Sequence, residues 1–367
     1  MMSLTKADDY PIHQISKPVS EVGSERNFYD RYFFNGYSKT DDIYFGAVLC
    51  VYPNLNIMDG AFTLAYKGKQ YNSRASRVLN LERLETEVGP LKVEVIEPLR
   101  KLKVSLSDVE NNFEVDLTIT GRFEPMREPQ MQLFNGPRMI MDTCRLTQQG
   151  KWSGKIKIND EQIDVTEDAF VGTRDRSWGV RPVGAYDSQP VVPFNMPQFY
   201  WLWAPFHFED LSAHIYFIDK ADGAPDTVLA IMQGPEFEGE IELRNVQKKV
   251  SYVPKSRRVE SMIITATDKD GNNVEISIDC GMKAFMCGLG YMHPDWGHGH
   301  DKGDNATHFD EYDLNQDPGD PPYLHVQALS NATLKVGDKA YEGRGVLEQL
   351  ILGAHEPSGF VDLFDKP

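Results

Sequence analysis

The feature that most constrains the fold of this chain is a two-residue alternation of apolar and polar side chains. The clearest stretch is residues 113–120, where apolar side chains occupy the odd positions and polar ones the even positions. Residues 102–106, 274–279 and 324–328 repeat the pattern. Successive side chains of a strand point to opposite faces, so each stretch predicts a strand with one buried face. Short strands recurring between turn residues predict an all-β sandwich or barrel.

Three short segments predict β-hairpins of the same kind. Residues 66–71, 158–163 and 336–341 each place Gly or Asn and charged residues between apolar flanks. Gly and Asn suit the positive φ angles of tight hairpin turns. Helical evidence is sparse: residues 78–88 predict one short amphipathic helix, with a strand as the competing interpretation.

Length predicts two domains, since 367 residues exceed the usual size of one hydrophobic core. Residues 182–197 contain too much proline for a continued strand. We therefore predict domains at 1–185 and 186–367. Residues 297–322 are polar, acidic and rich in Gly and Pro, and predict a long surface loop that could act as a lid.

The charge balance excludes two classes of partner. A net charge of −17, from 38 basic and 55 acidic residues, disfavours nucleic acid and anionic membrane surfaces as partners.

We also expect no membrane insertion, because no stretch approaches the roughly 20 apolar residues that span a bilayer. The four scattered cysteines and the lack of a signal peptide predict reduced thiols and a cytoplasmic location.

The segment 174–181 is the first candidate for chemistry, because it holds three arginines, one aspartate and one tryptophan. In a strand Arg174, Arg176 and Trp178 share one face, and Asp175 shares the other with Ser177. Asp175 could be an acid or base tuned by its arginine neighbours. The alternative is an Arg–Asp network that only holds the structure together.

An aromatic strand at 199–208 is the second candidate. Alternation places Trp201 and Trp203 on one side with His207, and Tyr200 on the other. Two explanations fit this run of aromatic residues: either both faces of the strand are packed in the core, or one face lines an apolar ligand pocket. His214, on the next strand, could project into the same space, although a satisfied structural histidine is the more frequent case.

A histidine-rich stretch at 291–310 is the third candidate. Its histidines and carboxylates leave a metal-dependent lyase open, although no regular metal motif is present. Without a metal, His293 or Asp295 could exchange protons while Trp296 stacks on a ligand. The chain contains no glycine-rich nucleotide loop and no Gly-x-Ser-x-Gly elbow, which disfavours nucleotide cofactors and serine hydrolase chemistry.

The segment Arg-Asp-Arg-Ser-Trp-Gly, residues 174–179, resembles the Asp-His-x-Trp-Gly-type signature of the AttH-like, carotenoid 1,2-hydratase superfamily. The likeness extends to residues 52–54, 290–299 and 343–348, in order along most of the chain. The resemblance implies two tandem lipocalin-like antiparallel β-barrel or sandwich domains packed side by side, with a ligand cleft between them. Relatives of known activity add water to isoprenoid double bonds or guide cyclisations without cofactors.

The chain departs from the hydratase pattern in two places. Arg176 stands where the hydratases carry a histidine, and no acid lies near 200–203, where their proton-donating carboxylate is expected. Asp210 is too far along the chain to replace it. Carotenoid hydration as such is therefore disfavoured, and any proton donor lies elsewhere.

Together these observations predict a cofactor-independent acid–base enzyme, of lyase, hydratase/dehydratase or isomerase type, acting on a hydrophobic isoprenoid, steroid-like or aromatic molecule. A non-catalytic carrier or sensor is the alternative, and a homodimer stays open. Asp175 and His293 are the proton-transfer candidates, with Arg176 and His214 as further catalytic candidates. The substrate-binding candidates are Arg174, Trp178, Arg181, Tyr200, Trp201, Trp203, His207, Tyr291, Asp295, Trp296, His298 and Tyr44. Asp59, Tyr186 and Glu348 are weaker nominations for which we favour structural roles.

Overall fold

The computed structural model describes residues 6–11, 25–80, 82–135, 138–185, 198–235, 237 and 239–366. The chain divides into two compact units. Unit 1 comprises Met1–Pro193 and Cys287–Asn315, and unit 2 comprises Phe194–Met286 and Gln316–Pro367. Each unit is built on one antiparallel sheet that curls into a nearly closed barrel, which confirms the predicted all-β fold of two barrels.

Among the described residues of unit 1, fourteen strands form one sheet, ordered β21-β4-β3-β2-β1-β13-β11-β8-β7-β6-β5, with β9, β10 and β12 also paired to β11. The strands are β1 Phe28–Ser38, β2 Tyr44–Tyr52, β3 Ile57–Tyr66, β4 Lys69–Val78, β5 Glu87–Val88, β6 Leu91–Glu97, β7 Lys101–Asp108, β8 Phe113–Gly121, β9 Met126–Arg127, β10 Met131–Asn135, β11 Arg138–Ile158, β12 Glu161–Val165, β13 Phe170–Val180 and β21 Asn305–Asp313.

In the described part of unit 2 there are nine strands, ordered β17-β16-β15-β14-β23-β22-β20-β19-β18. They are β14 Phe199–Phe208, β15 Ser212–Asp219, β16 Pro225–Gln233, β17 Glu240–Glu242, β18 Arg244–Tyr252, β19 Val259–Thr267, β20 Asn273–Phe285, β22 Val326–Val336 and β23 Lys339–Leu352. The described residues include no α-helix, and their only helical turns are the 3-10 segments Lys6–Asp9, Val109–Asn111, Met286–Leu289, Pro321–Tyr323 and Glu356–Ser358. None of these turns is long and apolar enough to cross a membrane.

The alternation in the sequence explains how each sheet makes a core. In β8 the apolar odd positions are buried and the polar even positions are exposed or half-buried, as predicted. Phe113 and Leu117 join Phe34, Phe62 and Trp152 in the core of unit 1. Unit 2 has its own core, which includes Leu202, Ile276 and Leu334. Burying one face of each strand removes apolar surface from water, which is the main force that favours the fold.

All three predicted hairpins are confirmed. Their turns contain Lys67 and Gly68, Asn159, and Gly337, each with a positive φ angle. They join β3 to β4, β11 to β12 and β22 to β23, respectively. A turn with positive φ angles has a backbone twist that matches the right-handed twist of the strands on either side of it.

The helix predicted at 78–88 is wrong. Val78 ends β4, and Glu87–Val88 forms β5. Leu79 is buried in the core of unit 1, whereas Leu84 is 51% exposed. The leucines therefore do not share one buried face, as the leucines of an amphipathic helix would.

The surface loop predicted at 297–322 is wrong for its middle part. Asn305–Asp313 forms β21, which pairs with β4 and so completes one edge of the sheet of unit 1. The backbone of a polar segment can still satisfy its hydrogen bonds at a sheet edge. The boundary predicted at 185/186 stays a prediction, since residues 186–197 lie outside the described residues, as does Tyr186.

Candidate functional site

Strand β13 carries the first candidate segment, and its register assigns a face to each side chain. Arg174 and Arg176 pair with Phe34 and Tyr32 of β1, which lie in the core of unit 1. Asp175 pairs with Phe33, which points to the opposite face. The division of faces predicted from alternation is confirmed, because a β-strand alternates sides at every residue.

The two inward arginines are paired with carboxylates inside the barrel. Arg174 contacts Asp9, and its Nε donates to Gln148 Oε1 at 2.8 Å. Arg176 donates to Asp30, and its guanidinium carbon lies 3.9 Å from the ring centroid of Tyr32. Buried guanidinium groups need such partners. Arg174 and Arg176 therefore match the alternative given above for segment 174–181, an ion-pair network that holds the structure together.

Asp175 lies on the outer face of the sheet between two arginines. Its Oδ1 is 3.8 Å from Nη2 of Arg31, and its Oδ2 is 3.9 Å from Nε of Arg145. Arg145 also forms an ion pair at 3.0 Å with Glu128, whose second oxygen accepts a hydrogen bond from Thr147. We call Arg31, Arg145, Asp175 and Glu128 the charged face. All four side chains are largely buried, so their charges interact more strongly than surface pairs do.

The turn after residue 287 brings Tyr291 to the charged face. Gly290 and Met292 have positive φ angles, which reverse the chain around Tyr291. Arg31 donates a hydrogen bond to the Tyr291 hydroxyl, and the guanidinium of Arg181 lies 5.8 Å from the ring centroid. Although burial acts to lower the pKa of Arg31, Tyr291 and Asp175 raise it above its ordinary value. Arg31 therefore stays cationic beside the phenol.

His298 lies next to Tyr291 and faces Asp59. The rings of His298 and Tyr291 meet edge to face, with centroids 4.6 Å apart. Nδ1 of His298 is 4.0 Å from Oδ1 of Asp59. Asp59 also accepts hydrogen bonds from Tyr52 at 3.2 Å and from the backbone N–H of Gly299 at 2.6 Å. These two donors fix the carboxylate, which can in turn orient the imidazole.

Burial keeps His298 neutral. Its side chain is only 9% exposed, and burial lowers its pKa to about 4, with Arg181 and Arg31 acting in the same direction against Asp59. Nε2 is buried and has no hydrogen-bond partner among the described residues. A neutral imidazole with one buried, unpaired nitrogen can accept a proton.

A small cavity borders this histidine. Its volume is about 10 Å³, which is roughly the space that one water molecule requires. The residues that line it include Asp59, His298, Arg74, Ser76 and Trp296. Polar side chains therefore surround a space that is large enough for one water molecule, next to His298.

The rest of the histidine-rich stretch has other surroundings. Nδ1 of His293 accepts the backbone N–H groups of Asp295 and Trp296, at 3.1 and 2.9 Å, and so closes a turn. Burial and Arg74 lower the pKa of His293 to about 4. Asp295 has a side chain that is 81% exposed. Trp296 stacks on His308, which lies in β21 and not in the surface loop predicted at 297–322.

The aromatic strand β14 belongs to unit 2. As predicted, Tyr200 and Leu202 face the core, and Trp201 and Trp203 face the other side. Trp201 lies 5.4 Å from Tyr216 between ring centroids, and Trp203 meets His214 edge to face at 5.2 Å. His214 thus contacts Trp203, as expected, and the ligand pocket predicted around them stays a prediction. His207 is also buried, in register with Ser212 and Arg344.

Two candidates remain, and both lie in unit 1. Trp178 is half-buried and pairs with Asp30, on the face of the sheet that carries Arg176. Tyr44 is fully buried in β2. Among the residues that the structure describes, no group of three or more His, Cys, Asp or Glu side chains is placed to hold a metal ion.

Sequence reasoning missed three members of the charged face and underrated one neighbour. Arg31, Arg145 and Glu128 were not nominated, and Asp59 was assigned a structural role. A signal for Arg31 was present, because it is a charged residue within the apolar run of β1. Nothing in the sequence pairs residue 59 with residue 298, since their contact depends on tertiary structure.

Residues 4–361 match a family of unknown function, DUF8625, and the chain belongs to that family. Solved structures of similar fold include a Nitrosomonas europaea protein provisionally named AttH, with a TM-score of 0.53 and 12% identity, covering 88% of this chain and 92% of that one. CghA is similar with a TM-score of 0.52 and 9% identity, covering 89% of each chain. Among curated proteins none matches. At these identities the likeness confirms the AttH-like resemblance as a resemblance of fold.

Proposed function

We propose that this member of DUF8625 is an enzyme that performs acid–base chemistry on a hydrophobic small molecule without an organic cofactor. The reaction would be of lyase, hydratase/dehydratase or isomerase type. The observation that carries the proposal is the contact between His298 and Tyr291, each supported by its own charged partner. Two groups that can exchange protons, held side by side in different electrostatic surroundings, are typical of acid–base sites.

His298 is the base of the proposal. It is neutral because burial lowers its pKa to about 4, so Nε2 has a free lone pair when Nδ1 carries the proton. When Nε2 takes a proton, the imidazolium gains attraction to Asp59, which lies 4.0 Å from Nδ1. This separation can shorten when substrate binds.

Tyr291 is the acid of the proposal. Its hydroxyl accepts a hydrogen bond from Arg31, and Arg181 adds a second cation near the ring. Both cations stabilise the phenolate that remains after proton donation. Asp175 attracts Arg31 to the charged face and is itself held there by Arg145, so in this proposal Asp175 is a positioning residue.

The cavity beside His298 supports a reaction that adds or removes water. Its volume of about 10 Å³ suits one water molecule, and its lining includes both Asp59 and His298. A water held there would lie next to the base that activates it.

The second candidate function is a carrier that binds a hydrophobic ligand without turnover. The buried aromatic face of Trp201 and Trp203 in unit 2 favours it.

The test is turnover of a panel of isoprenoid, steroid-like and aromatic compounds, followed by mass spectrometry in ordinary and deuterated water. Gain or loss of water, or uptake of deuterium, is the expected result. The substitutions His298→Asn and Tyr291→Phe should each lower the rate by about 100- to 10,000-fold, which is the usual contribution of a general acid or base. His308→Asn is the matched control, since this side chain is 41% exposed in the same unit.

Two outcomes would count against the proposal. Ligand binding without any product would favour the carrier. Turnover that survives in both His298→Asn and Tyr291→Phe would leave the enzyme but remove this site. Each variant should first be shown to unfold at the wild-type temperature, so that a loss of rate is not a loss of fold.

A further inference from the structure

Unit 2 contains a serine–histidine–aspartate arrangement that the proposed function does not use. Nδ1 of His355 lies 2.7 Å from Oγ of Ser358, and its Nε2 lies 3.2 Å from Oδ2 of Asp219. The imidazole thus bridges a hydroxyl and a carboxylate, as the base of a nucleophilic serine does, but here Nδ1 faces the serine, whereas the serine triad uses Nε2. Asp219 and His355 are buried, whereas Ser358 is half-buried in a surface turn.

The local backbone holds these side chains in place. His355 and Phe360 form a β-bridge with hydrogen bonds at 2.9 and 3.2 Å, which closes the turn on itself. Gly359, with φ of 74°, ends the short helical turn just after Ser358. The ring of Tyr200 stacks on His355 with centroids 3.9 Å apart. The orientation of the imidazole is therefore fixed by packing as well as by hydrogen bonds.

The neighbouring groups set the direction of the hydrogen bonds. Oγ of Ser358 lies 2.8 Å from the Tyr252 hydroxyl, which lies 2.8 Å from the Tyr200 hydroxyl. Nζ of Lys248 donates to Oδ2 of Asp219 at 2.5 Å. A carboxylate that pairs with Lys248 accepts hydrogen bonds, so the neutral tautomer of His355 that donates from Nε2 accepts at Nδ1. The Ser358 hydroxyl then donates to His355 and accepts from Tyr252, as an activated serine requires.

We infer that Ser358, although it lies outside the Gly-x-Ser-x-Gly elbow whose absence disfavoured serine hydrolase chemistry, is an activated nucleophile that accepts the acyl group of small activated esters. Oγ of Ser358 bonds to the acyl carbon as the ester C–O bond breaks. The hydroxyl proton passes to Nδ1 of His355 and then to the departing alcohol, so no further reactant is needed. The backbone N–H groups of Ser358 and Gly359 already donate to carbonyls within the turn. Esters with good leaving groups are therefore the substrates that fit.

The experiment is labelling of the full chain with a fluorophosphonate, read by intact mass and peptide mapping. Here Oγ of Ser358 displaces fluoride and His355 takes the proton. Wild-type protein should form one adduct at Ser358, and Ser358→Ala should form none. His355→Gln should be labelled about 100-fold more slowly, which is the usual effect of losing a general base. Ser256→Ala is the control, since Ser256 lies in an exposed turn of the same unit.

Absence of an adduct at Ser358, or equal labelling of wild type and a folded His355→Gln, would overturn the inference and leave the network as a lock on the turn. These results are independent of the site in unit 1, since none of its residues takes part.

Discussion

Replacing Asp30 by asparagine is expected to destabilise unit 1 strongly, because it removes the countercharge of a buried arginine. The side chains of Asp30 and Arg176 are 1% and 0% exposed. They also form a direct hydrogen bond within the barrel. Removing one partner of such a pair leaves an uncompensated buried charge, which typically costs about 3–5 kcal/mol.

The surroundings of Arg176 set the expected value near the lower end of that range. The asparagine amide oxygen can still accept a hydrogen bond, and the ring of Tyr32 remains 3.9 Å from the guanidinium carbon. Both contacts keep part of the stabilisation of the cation. We therefore expect a loss of about 3 kcal/mol in the free energy of unfolding. For a unit of this size that loss lowers the melting temperature by about 6–12 °C.

The assay is thermal and urea unfolding followed by circular dichroism. Asp116→Asn is the matched control, because Asp116 forms an exposed ion pair with Lys103 at 3.1 Å in the same unit. Surface pairs contribute about 0–1 kcal/mol, so the control should melt within about 4 °C of wild type. If Asp30→Asn is no less stable than this control, the ion pairs inside the barrel do not stabilise it as argued.

Three further predictions concern pH, thiol reactivity and packing. Burial lowers the pKa of His298 in the folded protein from its ordinary value of 6.5 to about 4. As the pH falls, the unfolded chain therefore binds a proton at this histidine before the folded chain does, and acid destabilises the fold. Between pH 6.5 and 4, His298→Asn should lose up to about 3 kcal/mol less stability than wild type in thermal melts, and equal losses would refute this. Burial raises the pKa of Cys50 to about 12 and that of Cys287 to about 11, so iodoacetamide at pH 8 should label them, by mass spectrometry, only after denaturation. Gly172→Ala should cost about 1–3 kcal/mol in urea unfolding, because the added Cβ would lie 2.1 Å from the Asn35 carbonyl oxygen, and an unchanged midpoint would contradict this.

The structure confirms those sequence predictions that rest on local rules. The faces of Asp175 and Trp201 follow from strand alternation alone, and the three hairpins follow from residues that tolerate positive φ. The helix expected at 78–88 failed because spacing of leucines does not show whether a packing surface exists. The loop expected at 297–322 failed because a polar strand at a sheet edge has the same composition as a loop.

The sequence by itself determined the all-β character, the turns and the face on which each strand residue lies, because these depend on the geometry of a few neighbouring residues. Only the tertiary structure decided that Asp59 meets His298, that Arg31 meets Tyr291, and that Asp219 meets His355. Each of these contacts joins residues more than a hundred positions apart. Their chemistry arises from burial and from charges brought close by strand pairing, and no local pattern records either one.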